Sequence, residues 1–174
     1  MIIREAKMEK LGEIMAFYEM MCRELASKDF LKKEYKGGFP SLEMVTQAIK
    51  REELFVGEEE GAIIAAYIMD HESNPEYNDA PWRTEAGKEQ AVVLHALRVA
   101  PQYGGRGYAG MLIKHAAETA RERGQRAIRL DCIEGNSVPH KMYLSHGFEY
   151  ICTVEMYYED IGEPRNFLLF ERAL

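Results

Sequence analysis

The residues with the clearest chemical potential lie in the run Leu97-Arg98-Val99-Ala100-Pro101-Gln102-Tyr103-Gly104-Gly105-Arg106-Gly107-Tyr108-Ala109. An apolar stretch, Ala91–Val99, leads into it, and a stretch of helical periodicity follows. A glycine-rich turn between a strand and a helix presents unpaired N–H groups and a partial positive charge, which suit a phosphate or pyrophosphate. Glycine allows the close approach because no Cβ stands in the way. Gly104, Gly105 and Gly107 together would be an expensive way to build a turn that holds nothing. One reading is a dinucleotide site, since Gly105-Arg106-Gly107-Tyr108-Ala109-Gly110 fits G-x-G-x-x-G and Asp131 closes the next strand. Against it, several residues separate the end of the strand from Gly105, and only about 64 residues follow Gly110, too few for the rest of a doubly wound sheet.

A second group lies downstream. Leu130-Asp131-Cys132-Ile133-Glu134-Gly135-Asn136 ends a strand, Tyr143 follows Asn136 by seven residues, and Gly147-Phe148 comes next. Gln102, Gly105 and Gly107 fill the pattern Q/R-x-x-G-x-G/A, with Ala109 following and Val99-x-Pro101 before it. Together the two groups resemble the signature of the GNAT superfamily of N-acetyltransferases, densely over about 91–150. Gly104 departs from the pattern, where an arginine or another long residue is common.

The resemblance implies acetyl-CoA as co-substrate and acetyl transfer to a primary amine of a small molecule or peptide. It implies that Leu97, Arg98, Val99, Gln102, Gly104, Gly105, Arg106, Gly107, Tyr108, Ala109, Asn136 and Tyr143 bind the cofactor. Within that set the Leu97 amide would polarise the thioester carbonyl. The amides of Val99 and of Gly104–Ala109 would hold pantetheine and pyrophosphate, and Tyr143 would protonate the departing thiolate. A homodimer is common in the superfamily. Two rival functions are a module of the same fold that senses acyl-CoA without turnover, and the nucleotide oxidoreductase considered above.

The chemistry needs a base, because an alkyl ammonium with a pKa near 10.4 must lose a proton before it attacks. Many relatives carry a Glu at the position of Val93, which cannot serve. His95 lies two residues on, on the same face of a regular strand, and its imidazole titrates near neutrality. His95 is therefore the candidate base, with Glu89, Glu72 and Asp70 as fallbacks. Trp82 and Tyr77, with the acidic residues Asp70, Glu72, Glu76 and Asp79, could line the acceptor site. The five histidines form no HxxxH or HxH pair, so no metal is implied.

These residues need a scaffold, and its outline is legible. Ile2-Ile3 read as a strand. Leu11, Ile14, Tyr18, Met21 and Leu25 recur at helical spacing over Met8–Ala26. Lys32–Phe39 reads as a loop, and Ser41 as the N-cap of a helix with Leu42, Val45 and Ile49 on one face. Leu54-Phe55-Val56 and Ala62–Met69 form a hairpin around Gly57–Gly61. Residues 71–90 carry no periodicity, and a loop of that length is functional or mobile. After the glycine turn come a helix closed by Gly124, a strand Ala127–Ile133, a helix Ser137–His146, and two strands, Phe148–Val154 and Phe167–Phe170. The expected fold is α/β: one mixed twisted sheet of about seven strands with helices on both faces, in one domain spanning 1–174.

Composition agrees with this outline and narrows the partners. The chain has 174 residues, 47% hydrophobic and 29% charged, with a formal net charge of −7. No stripe of Lys and Arg points to nucleic acid. The longest apolar run, Ala62–Met69, is too short to cross a membrane. Cys22, Cys132 and Cys152 form no CxxC pair. With no apolar leader over Met1–Glu5, they suggest small core residues in a cytoplasmic protein.

Overall fold

A computed structural model of the protein describes residues 1–31 and 35–174; Lys32, Lys33 and Glu34 of the expected loop lie outside the described residues. The strands are β1 (Ile2–Glu5), β2 (Leu54–Glu59), β3 (Ala62–Asp70), β4 (Ala91–Val99), β5 (Ala127–Ile133), β6 (Glu149–Tyr157) and β7 (Pro164–Ala173). The helices are α1 (Leu11–Ala26), α2 (Leu42–Lys50), α3 (Tyr108–Glu122) and α4 (Ser137–Ser145). The strands form one sheet in the order β1-β2-β3-β4-β5-β7-β6. Only β4 and β5 are parallel neighbours; the other pairs are antiparallel. The expected mixed sheet is present, and a sheet with one parallel pair is not the doubly wound one a dinucleotide site requires.

The helices cover both faces because the strands alternate apolar residues to both sides. Leu112, Ile113, Ala116 and Ala120 of α3 pack with Val92, Leu94, Ile128 and Leu130 on one face. Ile14, Phe17 and Tyr18 of α1, with Val45 and Ile49 of α2, pack with Ala66, Ile68 and Ala96 on the other. Ser41 caps α2 by accepting from the Met44 amide at 3.1 Å, and Gly124 follows α3 with φ +73°.

Three details depart from the sequence reading. Strand β2 runs through Gly57 to Glu59, and the hairpin turns at Glu60-Gly61, both at positive φ as a two-residue turn demands. Gly57 serves close packing, since a Cβ there would collide with Met1. The last two strands are longer than their apolar cores suggest. Residues 71–90 are tied down, with short 3-10 turns at Pro75–Asp79 and Lys88–Gln90.

The tie is the buried carboxylate of Glu171. One oxygen accepts from the amides of Arg83 and Thr84 at 2.9 and 2.8 Å, and the other accepts from Arg129 Nε at 2.9 Å. Arg129 also lies under the Trp82 ring, 4.4 Å from its centroid. A buried ion pair broken from one side leaves an unpaired charge in the interior. Glu171→Leu is therefore expected to lower unfolding stability by about 3–5 kcal/mol in urea titrations and to speed tryptic cleavage after Arg83. A loss well under 1 kcal/mol with unchanged cleavage would contradict the anchoring role.

Candidate active site

Strands β4 and β5 pair only from Ala91↔Ala127 to Val93↔Arg129. Beyond that point β4 keeps β3 on one side and β5 keeps β7 on the other, so backbone groups facing the gap have no strand partner. A bulge accompanies the separation. Between Ala66 and Ile68 the register of β3 against β4 slips by one residue, and Ala96 takes φ +48°. Such a bulge adds twist and bends its strand, and an alanine at positive φ is strained. The Tyr18 hydroxyl donates to the Ala96 carbonyl at 3.3 Å, bracing the bulge from α1.

The gap opens a cavity of about 920 Å³ lined from both faces of the sheet. His95 and Asp131 reach it from the α1 side; Cys132 and Tyr143 reach it from the α3 and α4 side. Leu97, Arg98, Val99, Ala109 and Asn136 also line it. Of the candidate site residues, Gln102 and the turn Gly104–Tyr108 do not line this cavity. Gln102 is exposed on the single turn Pro101–Tyr103.

The cavity runs toward the start of α3. Gly105 and Gly107 have φ +75° and +78°, and open space faces both. The amides of Gly105 through Gly110 meet no acceptor among the described residues; the first helical bond is Met111 N–H to the Gly107 carbonyl, at 3.1 Å. Gly104 differs, because its amide donates to the Pro101 carbonyl at 2.9 Å and so shapes the turn. Tyr108 and Arg106 turn their side chains outward to Glu59: the phenol donates to the carboxylate, and the guanidinium stands 3.5 Å away. A run of free donors at a helix start, open to solvent and without Cβ obstruction, fits a pyrophosphate.

Of the proton-carrying groups, His95 is the best defined. Its Nε2 lies 2.9 Å from Asp70 Oδ1 and 3.0 Å from the Glu72 carbonyl. Both are acceptors, so Nε2 carries the proton and Nδ1 is the basic nitrogen. Burial acts to lower the His95 pKa, but hydrogen bonding and charge from Asp70, with help from Asp131 and the Glu72 carbonyl, carry it above 6.5. The fallback acids thus divide: Asp70 and the Glu72 backbone orient His95, while Glu89 stands exposed.

Tyr143 is buried against Phe148 and Phe170. Burial raises its pKa well above the ordinary phenol value, partly opposed by Arg98, so it stays protonated. Burial likewise pushes the Cys132 thiol up to about 12, which leaves no thiolate near neutrality.

Two partners escaped the sequence reading. Asp131 entered it only as a dinucleotide candidate, and Tyr158 not at all. In the fold, Tyr77 and Tyr158 each donate a hydroxyl to Asp131 Oδ2 at 2.8 Å. A signal existed for Asp131: Arg129 and Asp131 alternate with apolar residues in an otherwise buried strand. Trp82 stacks on Arg129, and Asp79 is exposed, so the loop contributes Tyr77 and Asp70 stands nearby on β3.

The profile of the acetyltransferase (GNAT) family matches residues 19–148. The chain belongs to that family, and with it to the acyltransferases. No curated protein sequence matches the chain significantly. Among solved structures, it is similar to a ribosomal-protein-alanine N-acetyltransferase from Brucella melitensis, at TM-score 0.73 and 20% identity with all of both chains covered. It is similar to a GNAT-family acetyltransferase from Listeria monocytogenes, at TM-score 0.72 and 24% identity over 99% of this chain and 94% of that one. An acetyltransferase of the family from Streptococcus pneumoniae gives TM-score 0.73 and 20% identity over 99% of each chain.

The free amides generate a ligand-binding expectation. Acetyl-CoA should raise the melting temperature of the wild-type protein, because a ligand bound only by the native state stabilises it. Gly107→Val, which puts a β-branched side chain at φ +78°, should keep the fold and lose most of that shift. An unchanged affinity for acetyl-CoA in the folded variant would remove the cradle from the binding site.

Proposed function

We propose that the protein is an acetyl-CoA-dependent N-acetyltransferase that moves the acetyl group directly to a primary amine of a small molecule or peptide. The observation that carries the reading is the convergence of His95, Tyr143 and the unpaired edge of β4 on one cavity that leads to the free amides of Gly105–Gly110. The amides after Gly104 would hold the pyrophosphate, the unpaired edge of β4 the pantetheine arm, and Asn136 and Arg98 the walls beside it.

Each residue then has one task. His95 Nδ1 takes a proton from the acceptor ammonium, directly or through a water, while Asp70 holds the resulting imidazolium. The Leu97 amide donates to the oxyanion formed when the amine attacks the acetyl carbonyl. Tyr143 gives its proton to the departing thiolate. Direct transfer is favoured because Cys132, the thiol of the cavity, is protonated at neutral pH.

A thiol-release assay with acetyl-CoA and a panel of amines tests the reading; binding of acetyl-CoA with no turnover of any amine would favour a sensor. Tyr143→Phe is expected to lower kcat roughly 10²-fold with little change in acetyl-CoA binding, and an unaltered kcat would make Tyr143 a packing residue. A base must be neutral, and the His95 pKa is raised. So kcat/KM should fall as pH drops through a limb whose midpoint lies above 6.5. His95→Gln should lower kcat and erase that limb; its survival in a folded variant would move the base elsewhere.

A further inference from the structure

Asp131 is held in a way that leaves one oxygen for something else. Tyr77, from the 71–90 segment, and Tyr158, just beyond β6, both donate to Oδ2. Oδ1 has no partner among the described residues. The side chain faces the same cavity as His95, on the same side of the sheet. Two phenols converging on one oxygen fix the plane of the carboxylate and keep its other oxygen aimed rather than rotating. Burial penalises the charge and holds the carboxyl above its ordinary pKa, against the pull of the two phenols and His95. A cation seated at Oδ1 would relieve that penalty.

The walls around Asp131 indicate what the cation is attached to. Met21, Leu25, Phe30, Leu31, Phe39 and Ile161 line this half of the cavity. The charged groups nearby are disposed differently. Arg98 gives Nη1 to the Leu97 carbonyl at 3.0 Å, Lys28 and Asp29 are exposed, and Asp160 adds a second, partly buried carboxylate. Arg98, a cation of the same wall, already has the Leu97 carbonyl and acts electrostatically on Asp160, so a carboxylate on the substrate would meet two acids, apolar walls and a cation already partnered.

We propose that Asp131, clamped by Tyr77 and Tyr158, is the ammonium subsite for the acyl acceptor, and that the acceptor is a primary alkyl or aralkyl amine with an apolar body and no carboxylate. The proposal rests on the transferase reading and deepens it: Asp131 seats the protonated amine, and His95 removes the proton.

Calorimetric titration of the whole protein, saturated with CoA, separates the two. The probe is 2-phenylethylamine, compared with 2-phenylethanol and phenylalanine. The amine should bind, and the neutral alcohol and the amino acid should bind at least 10-fold more weakly. Asp131→Asn, which keeps an acceptor for both phenols, should weaken amine binding about 10–100-fold, the range for a hydrogen bond to a charged group. Tyr158→Phe should weaken it less and serves should the first variant fold poorly. Equal binding of amine and alcohol, equal binding of phenylalanine, undiminished affinity in either variant, or no amine binding to the wild type would overturn the proposal. Retained acetyl-CoA stabilisation with turnover of some other amine would leave the transferase reading standing.

Discussion

Strands β4 and β5 share backbone hydrogen bonds only from Ala91 to Val93, and past that point each has a strand on one side alone. A continuous sheet keeps the side chains of its two faces apart, and a cavity on one face cannot see the other. Here the gap joins them. His95 and Asp131 belong to the face covered by α1, Tyr143 and Cys132 to the face covered by α3 and α4, yet all four line one space. The bulge at Ala96, braced by Tyr18, lies three residues beyond Val93, the last rung paired to β5. In the proposed mechanism the gap lets an acid and a base stand on opposite sides of the reacting centre without either helix layer being breached.

The cost of opening a sheet is met by firm attachment around the opening. Glu171 ties the 80s segment to Arg129 at the last paired rung of β4 and β5. Two rungs further along β5, Asp131 draws in Tyr77 from the same segment and Tyr158 from the far hairpin. Asp70, at the end of β3, reaches across to His95. Buried carboxylates therefore do the positioning on the open side, each with more than one donor, as burial of a charge requires.

Much of this was legible in the sequence, for identifiable reasons. The glycine turn could be read because positive φ and close backbone approach exclude most residues, so type and conformation coincide at Gly105 and Gly107. His95 could be placed because strand parity is a strict rule up to the bulge that follows it. The hairpin turn was set too early, at Gly57, because a glycine needed for packing against Met1 looks the same as one needed for a turn. Asp131, Tyr158 and the Glu171 anchor were hidden for a different reason. Their partners come from a segment without periodicity or from strands joined only by the register of the sheet, and no local pattern encodes a meeting of residues 77, 131 and 158.

The measurement that bears most directly on the account is amide hydrogen exchange with and without acetyl-CoA, resolved along the chain. The opened sheet and the uncovered start of α3 should make ligand protection appear in two stretches, Leu97–Val99 and Gly105–Gly110, while the β4 amides paired to β5 and the anchored 80s segment change little. Protection spread evenly over the chain, or absent from both stretches while acetyl-CoA is bound, would contradict it.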